Sequence, residues 1–152
     1  MFDREQALEK FNDFLMIFDE QTDALEKDAA ARGIDLDFSV ESLAKLEQLF
    51  LLMAEGADKD TISQLIVYFA RYLGEIVRIN YGGKWILSLD DPKNVNFNTP
   101  VIVGHTPIPD LEFDPIGQMR AFSLKKRPGM LWQAIDADIN PNPLDLSDLV
   151  EE

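Results

Sequence analysis

The segment from Asp60 to Leu89 constrains the fold more than any other part of the chain. Ile62, Leu65, Ile66, Phe69, Leu73, Ile76 and Val77 recur at spacings of three and four, which places them on one face of a helix. Val67, Tyr68 and Tyr72 widen that face, so this helix is expected to be central, with partners on two sides. Thr61 and Gln64 have capping-box spacing and Asp60 is a competing cap, so the helix is expected to begin near residue 61. Gly82-Gly83 breaks it, and Lys84-Trp85-Ile86-Leu87-Ser88-Leu89 reads as a short strand. Alternation puts Trp85, Leu87 and Leu89 on the face expected to point inward, with Ile86 and Ser88 on the other. Gly74 lies inside the helix, where glycine costs about 1 kcal/mol relative to alanine, and close approach of a ring such as that of Trp85 would account for it. Glu75 has helical spacing to Arg71 and Arg78, read as a solvated ion pair.

On the N-terminal side, the first 33 residues read as one long helix, capped by Asp3 with Gln6, stopped by Gly33 and bent near Asp19-Glu20-Gln21-Thr22. Its main stripe is Leu8, Phe11, Leu15, Phe18 and Leu25, with Phe14 and Ile17 beside it. A second helix is expected from Val40 to Glu55, with Ser39 as N-cap, Phe38 stapled to Leu43, and Gly56 as the stop. The short loop after it makes it an antiparallel neighbour of the central helix.

On the C-terminal side, Asp90-Asp91-Pro92-Lys93-Asn94 is turn chemistry, and Thr99 to Gly104 reads as a second strand, antiparallel to the first. Such a pair is marginal alone and must pack on something. Asp110 to Asp114 alternates like an edge strand. Asp114-Pro115 starts a helix carrying Ile116, Met119, Ala121, Phe122 and Leu124 and closing on Lys125-Lys126-Arg127. Met130 to Ile135 reads as a further helix or strand. The expected fold class is α+β: an N-terminal helical layer of three helices packed on a small, mostly antiparallel sheet, with a further C-terminal helix. Residues 1–140 are expected to form a single domain and 141–152 an acidic, proline-interrupted tail suited to docking in cis or on another chain.

Charge narrows the function classes. The net charge is -14, and residues 1–60 hold 16 acids and 6 bases. Such a field repels phosphate backbones and steers a basic protein, so no nucleic acid and possession of a basic protein partner are the expectations. The chain has no cysteine, which excludes thiol catalysis and Cys-ligated metals and suits a reducing cytoplasm. No basic and apolar leader begins it and no apolar run is long enough for a bilayer, so a cytoplasmic protein without membrane association is expected. His105, the one histidine, sits in a rigid Gly104-His105-Thr106-Pro107 segment without a nearby Ser or metal-ligand partner and reads as structural. Asp136 to Asn140 begins like a calcium loop, but Pro141 stands at its sixth position and Ser147 at its twelfth. Nucleotide, zinc-protease and serine-hydrolase motifs are absent, so no cofactor and no metal are expected.

Two functional readings follow. In the first the chain is a protein-interaction module whose partner face is Glu5, Glu9, Asp13, Glu20 and Asp23; self-association is compatible with it. In the alternative it is a small-molecule-binding protein or a carboxylate-dependent enzyme with a pocket near Glu75, Arg78, Trp85 and His105.

The run Tyr72-Leu73-Gly74-Glu75, then Gly82-Gly83-Lys84-Trp85, then a Pro-Val-Ile-Val-Gly strand and the Asp114-Pro115 helix start resembles a group of small uncharacterised bacterial domains, some of them immunity-like. The resemblance spans about residues 60–127. It implies an α+β fold, a bacterial origin and an interaction role such as neutralising a basic toxin, and it carries over no catalytic residue.

Overall fold

In the computed structural model, which describes residues 2–140, the chain forms α1 (Arg4–Met16), α2 (Phe18–Ala30), α3 (Ser42–Ala54), α4 (Lys59–Tyr81), β1 (Lys84–Leu87), β2 (Pro100–Val103), α5 (Pro115–Lys125) and α6 (Met130–Ile139). The fold is mostly helical α+β, with one two-stranded antiparallel sheet among the described residues. The expected tail, residues 141–152, lies outside them.

Helix α4 is central, packed against α2, α3, α5 and β2. Its stripe behaves as the spacing requires: Leu65, Ile66, Phe69, Leu73, Ile76 and Val77 are buried, and Tyr72 beside them is fully enclosed. It starts earlier than expected because Asp58, rather than Asp60 or Thr61, is the cap, accepting from the Thr61 N–H at 2.8 Å. The helix ends at Gly82, whose φ of 88° favours glycine. Gly74 faces Trp85; a Cβ there would collide with the indole and lie 3.1 Å from Cγ of Pro115.

The expected single N-terminal helix is two helices. The break falls at Ile17 (φ -95°, ψ 12°), ahead of the acidic stretch expected to bend it. In a continuous helix the Phe14 carbonyl would accept from the Phe18 N–H. Here it accepts instead from Nε of buried Arg71 on α4, at 3.3 Å. That cation also lies 4.4 Å over the Phe14 ring, at the helix C-terminus where positive charge is favoured. The apolar face is rotated from the expected one. Ala7, Phe14, Phe18 and Leu25 are buried, whereas Leu8 and Ile17 are exposed, because Phe14 and Phe18 both pack on Trp85.

Ser39 accepts from the Ser42 N–H as a cap would, and regular helix α3 begins at Ser42, later than expected. Leu43, Leu46, Leu49 and Phe50 are buried and Met53 partly so. Phe38 adopts φ 63°, a conformation a bulky residue seldom takes. It is held there on three sides: its ring stacks on Tyr72 at 4.3 Å, its N–H donates to the Tyr72 hydroxyl, and its carbonyl accepts from Asn80.

In the sheet, Lys84 pairs with Val103, Trp85 with Ile102, Ile86 with Val101 and Leu87 with Pro100. Ile102 also exchanges both backbone bonds with Phe113, so the expected edge strand at 110–114 is reduced to one antiparallel bridge. Asp114 caps α5 by accepting from the Gly117 N–H, with Pro115 at the first helical position. Met119 and Phe122 face inward, whereas Leu124, expected on the apolar side, is 79% exposed. Met130 to Ile135 is helical, and the calcium-like stretch Asp136 to Ile139 completes the same helix.

Candidate functional site

The five carboxylates of the expected partner face, Glu5, Glu9, Asp13, Glu20 and Asp23, are all exposed. The break at Ile17 divides them, three on α1 and two on α2. Among the described residues one Arg or Lys pairs with a carboxylate within 4.0 Å, Arg78 with Glu75, and His105 lies against Asp138. The acids of α1 and α2 are therefore uncompensated by direct contact.

Three of the four residues of the alternative pocket meet. Glu75 accepts from Nε of Arg78 at 2.9 Å and from the Trp85 indole N–H at 3.2 Å, and the carboxylate bond holds the Arg78 guanidinium above its ordinary pKa. Arg71, the other cation at helical spacing, turns to Phe14. With both oxygens engaged by an arginine and Oε2 also by an indole, Glu75 positions the Trp85 ring that fills the space over Gly74.

His105 engages a different part of the molecule. Its side chain is fully enclosed, with Nε2 2.9 Å from Oδ2 of Asp138 on α6, while Thr106 donates its hydroxyl to the Asp138 carbonyl. The Nε2–H tautomer satisfies that bond and leaves buried Nδ1 without a partner among the described residues. A ring sealed from solvent on every side anchors the chain after β2 to α6.

Several polar residues with structural consequences carry no motif. Glu47 on α3 is buried and accepts from the N–H groups of Gly129 and Leu131 at 2.9 and 3.0 Å, capping α6 in place of the side chain that Gly129 lacks. The Tyr68 hydroxyl donates to Asp28 at 2.8 Å and the Tyr72 hydroxyl to Glu26 at 2.9 Å. Burial, reinforced by those carboxylates, pushes both phenols well above their usual pKa. Burial alone lowers that of Arg71.

Two clefts stand out. One of about 620 Å³ lies between α1 and the inner side of the hairpin, lined by Phe2, Phe11, Phe14, Val67, Leu87 and Pro100 among others. The second, about 760 Å³, lies over the outer side, with Ile86 and Val103 in its floor and Asp90, Asp91, Asp110 and Glu112 around it. Glu112 accepts from Ser88 at 2.6 Å, Asn94 at 2.8 Å and Asn96 at 3.1 Å. Burial pushes that carboxyl up, but the three bonds outweigh it and the net shift is downward. Neither cleft is lined by Glu75, Arg78, Trp85 or His105. Among the described residues no three His, Cys, Asp or Glu side chains are grouped to hold a metal ion, and no helix is long and apolar enough to cross a membrane. Comparisons with protein-family models, with curated proteins and with solved structures found no match to this chain.

Proposed function

We propose that the chain is a non-catalytic protein-interaction module of the cytoplasm that captures a basic protein, in the manner of an immunity-type neutraliser. The observation that carries this reading is the uncompensated acidity of the exposed surface: a net charge of -14, with none of the carboxylates of α1 and α2 in an ion pair among the described residues. Charge so arranged accelerates encounter with an oppositely charged partner. The alternative, a pocket built from Glu75, Arg78, Trp85 and His105, has less support, since Glu75 is bonded to its neighbours and His105 is enclosed against Asp138.

The experiment is capture of partners from the native host followed by salt-dependent association kinetics. The on-rate should fall steeply between low and physiological ionic strength, where the screening length shortens to about 8 Å. Reversing Glu9, Asp13 and Glu20 to lysine should slow association about tenfold while leaving the fold intact. An acidic partner, or binding indifferent to salt and to the reversals, would overturn the reading.

A further inference from the structure

We infer that the open edge of β1, with the acid-rimmed outer face beside it, receives an extended basic segment of the partner as an added antiparallel strand; this rests on the reading of the chain as a binder of a basic protein. The geometry begins at Ile102. Both its backbone groups bond to Phe113, so they point away from β1, and the Trp85–Ile102 pair is one of the non-hydrogen-bonded pairs of the ladder. The N–H and C=O of Trp85 therefore point away from β2, and by the two-residue period so do those of Leu87. Pro100, opposite Leu87, has no N–H to offer, which fits that register. Among the described residues no backbone group bonds to these outward groups. A strand edge in this state is a template for another strand.

Charge decides what the added strand carries. Asp90 and Asp91 follow β1 after two intervening residues and stand exposed at the outer cleft, neither of them in an ion pair among the described residues. Lys84 stands exposed at the other end of the strand. An antiparallel addition lays the first half of the incoming segment beside the aspartates and its second half beside Lys84, so its lysines or arginines belong in the first half. With the lysines on the outer face, the residues between them fall on the opposite face of the added strand, on the side of the cleft lined by Phe2, Phe11 and Leu87, and are apolar. A second copy of this chain is the poorer occupant, because it would bring one net charge of -14 against another.

The test uses the full chain and three synthetic probes, followed by backbone amide shifts in NMR. The first probe is an N-acetylated, C-amidated peptide Lys-Val-Lys-Val-Thr-Val; the second replaces its lysines by glutamate; the third is the lysine peptide N-methylated at alternate amides. The lysine peptide should move the amides of Trp85 and Leu87 and saturate. N-methylation, which removes the pairing donors but keeps the charge, should weaken binding about tenfold. The glutamate peptide should not bind. Replacing Asp90 and Asp91 together by asparagine should also weaken the lysine peptide about tenfold, and Leu87→Pro, which removes one outward N–H, should abolish its binding. The inference is overturned if the lysine peptide fails to bind, if the methylated form binds equally well, or if the free chain already pairs with a second copy through Trp85 and Leu87. Shifts confined to the acidic residues of α1 and α2 would overturn the edge as the site while leaving the basic-partner reading in place.

Discussion

On the helical side of α4, carboxylates accept from tyrosines whose rings are already packed: Tyr68 donates to Asp28 and Tyr72 to Glu26, and the Tyr72 ring is fully buried. On the hairpin side, Glu112 accepts from Ser88, Asn94 and Asn96, and none of those three brings an apolar ring. The first arrangement adds direction to a hydrophobic contact that would exist without it. The second is itself what orders the turn between the strands, because four paired residues a side give a hairpin little stability of its own. The molecule thus combines a well-packed helical body with a short sheet that packs on it through Trp85, Val101 and Ile102 and whose connecting turn is held by polar bonds, and the outward backbone groups belong to the second part.

Gly74 is where the two regions meet, and it should give the largest effect. Gly74→Ala places a methyl group against the Trp85 indole, with Pro115 closing the other side. Overpacking costs about 1–3 kcal/mol, and with the added carbon deep inside contact distance of the indole and Pro115 behind it the upper end applies, above the gain of about 1 kcal/mol in helix propensity. Urea melts should show a lower midpoint with an unchanged slope. A midpoint at or above that of the parent chain would mean that Trp85 has room to withdraw and that the hairpin is not rigidly seated on the body.

Tyr72→Phe tests the helical region alone, keeping the ring and deleting the hydroxyl. The Phe38 N–H then loses its acceptor and Glu26 its donor, while Phe38 still has to hold φ 63°. Loss of the bonds should cost about 1–2 kcal/mol. Amide exchange at Phe38 should accelerate more than at residues of β1. A stability equal to the parent's would show that ring burial alone secures this flank and would remove the polar half of the comparison.

The sequence exposed what depends on near neighbours and concealed what depends on distant ones. The α4 stripe, the Gly82-Gly83 break, the Asp114-Pro115 start and the need for a bulky neighbour at Gly74 all follow from spacing within a few residues. A bend was legible only near residues 19–22, a few positions late; its place at Ile17 was not, because no Gly or Pro marks it and the donor that takes the Phe14 carbonyl is Arg71, 57 positions on. The same holds for Glu47, whose spacing on α3 says nothing of a helix start 82 positions later, and for Asp138, the partner of His105. The acidic stripe of the first helices was legible as exposed charge. The open edge was not, since it depends on Ile102 turning both backbone groups to Phe113.

The smallest expected effect separates the two regions by pH. The Glu112 carboxyl in the folded chain titrates below its ordinary value of 4.5, since three hydrogen bonds outweigh the opposing effect of burial. As pH falls the unfolded chain takes up this proton first, so the stabilisation is present above that value and is lost as pH drops through the folded one. For Tyr72, burial and then the Glu26 bond raise the phenol above its ordinary 10.0, so its contribution is present below that pH and lost as pH climbs through the folded value. Acid should therefore loosen the hairpin turn, and strong alkali should break the Tyr72 bonds while Glu112 keeps its three. Global melts alone do not separate these, because Asp37, bonded by Ser39 and Ser42 and held at about 2, adds its own acid dependence at the start of α3. The readouts are local: the carboxamide resonances of Asn94 and Asn96 below pH 4.5, and tyrosinate absorbance above pH 10.0. Glu112→Gln should flatten the acid response of those carboxamides and leave the alkaline limb unchanged. Simultaneous loss of both regions in acid, with the carboxamides of the variant still titrating, would show that Glu112 does not order the turn.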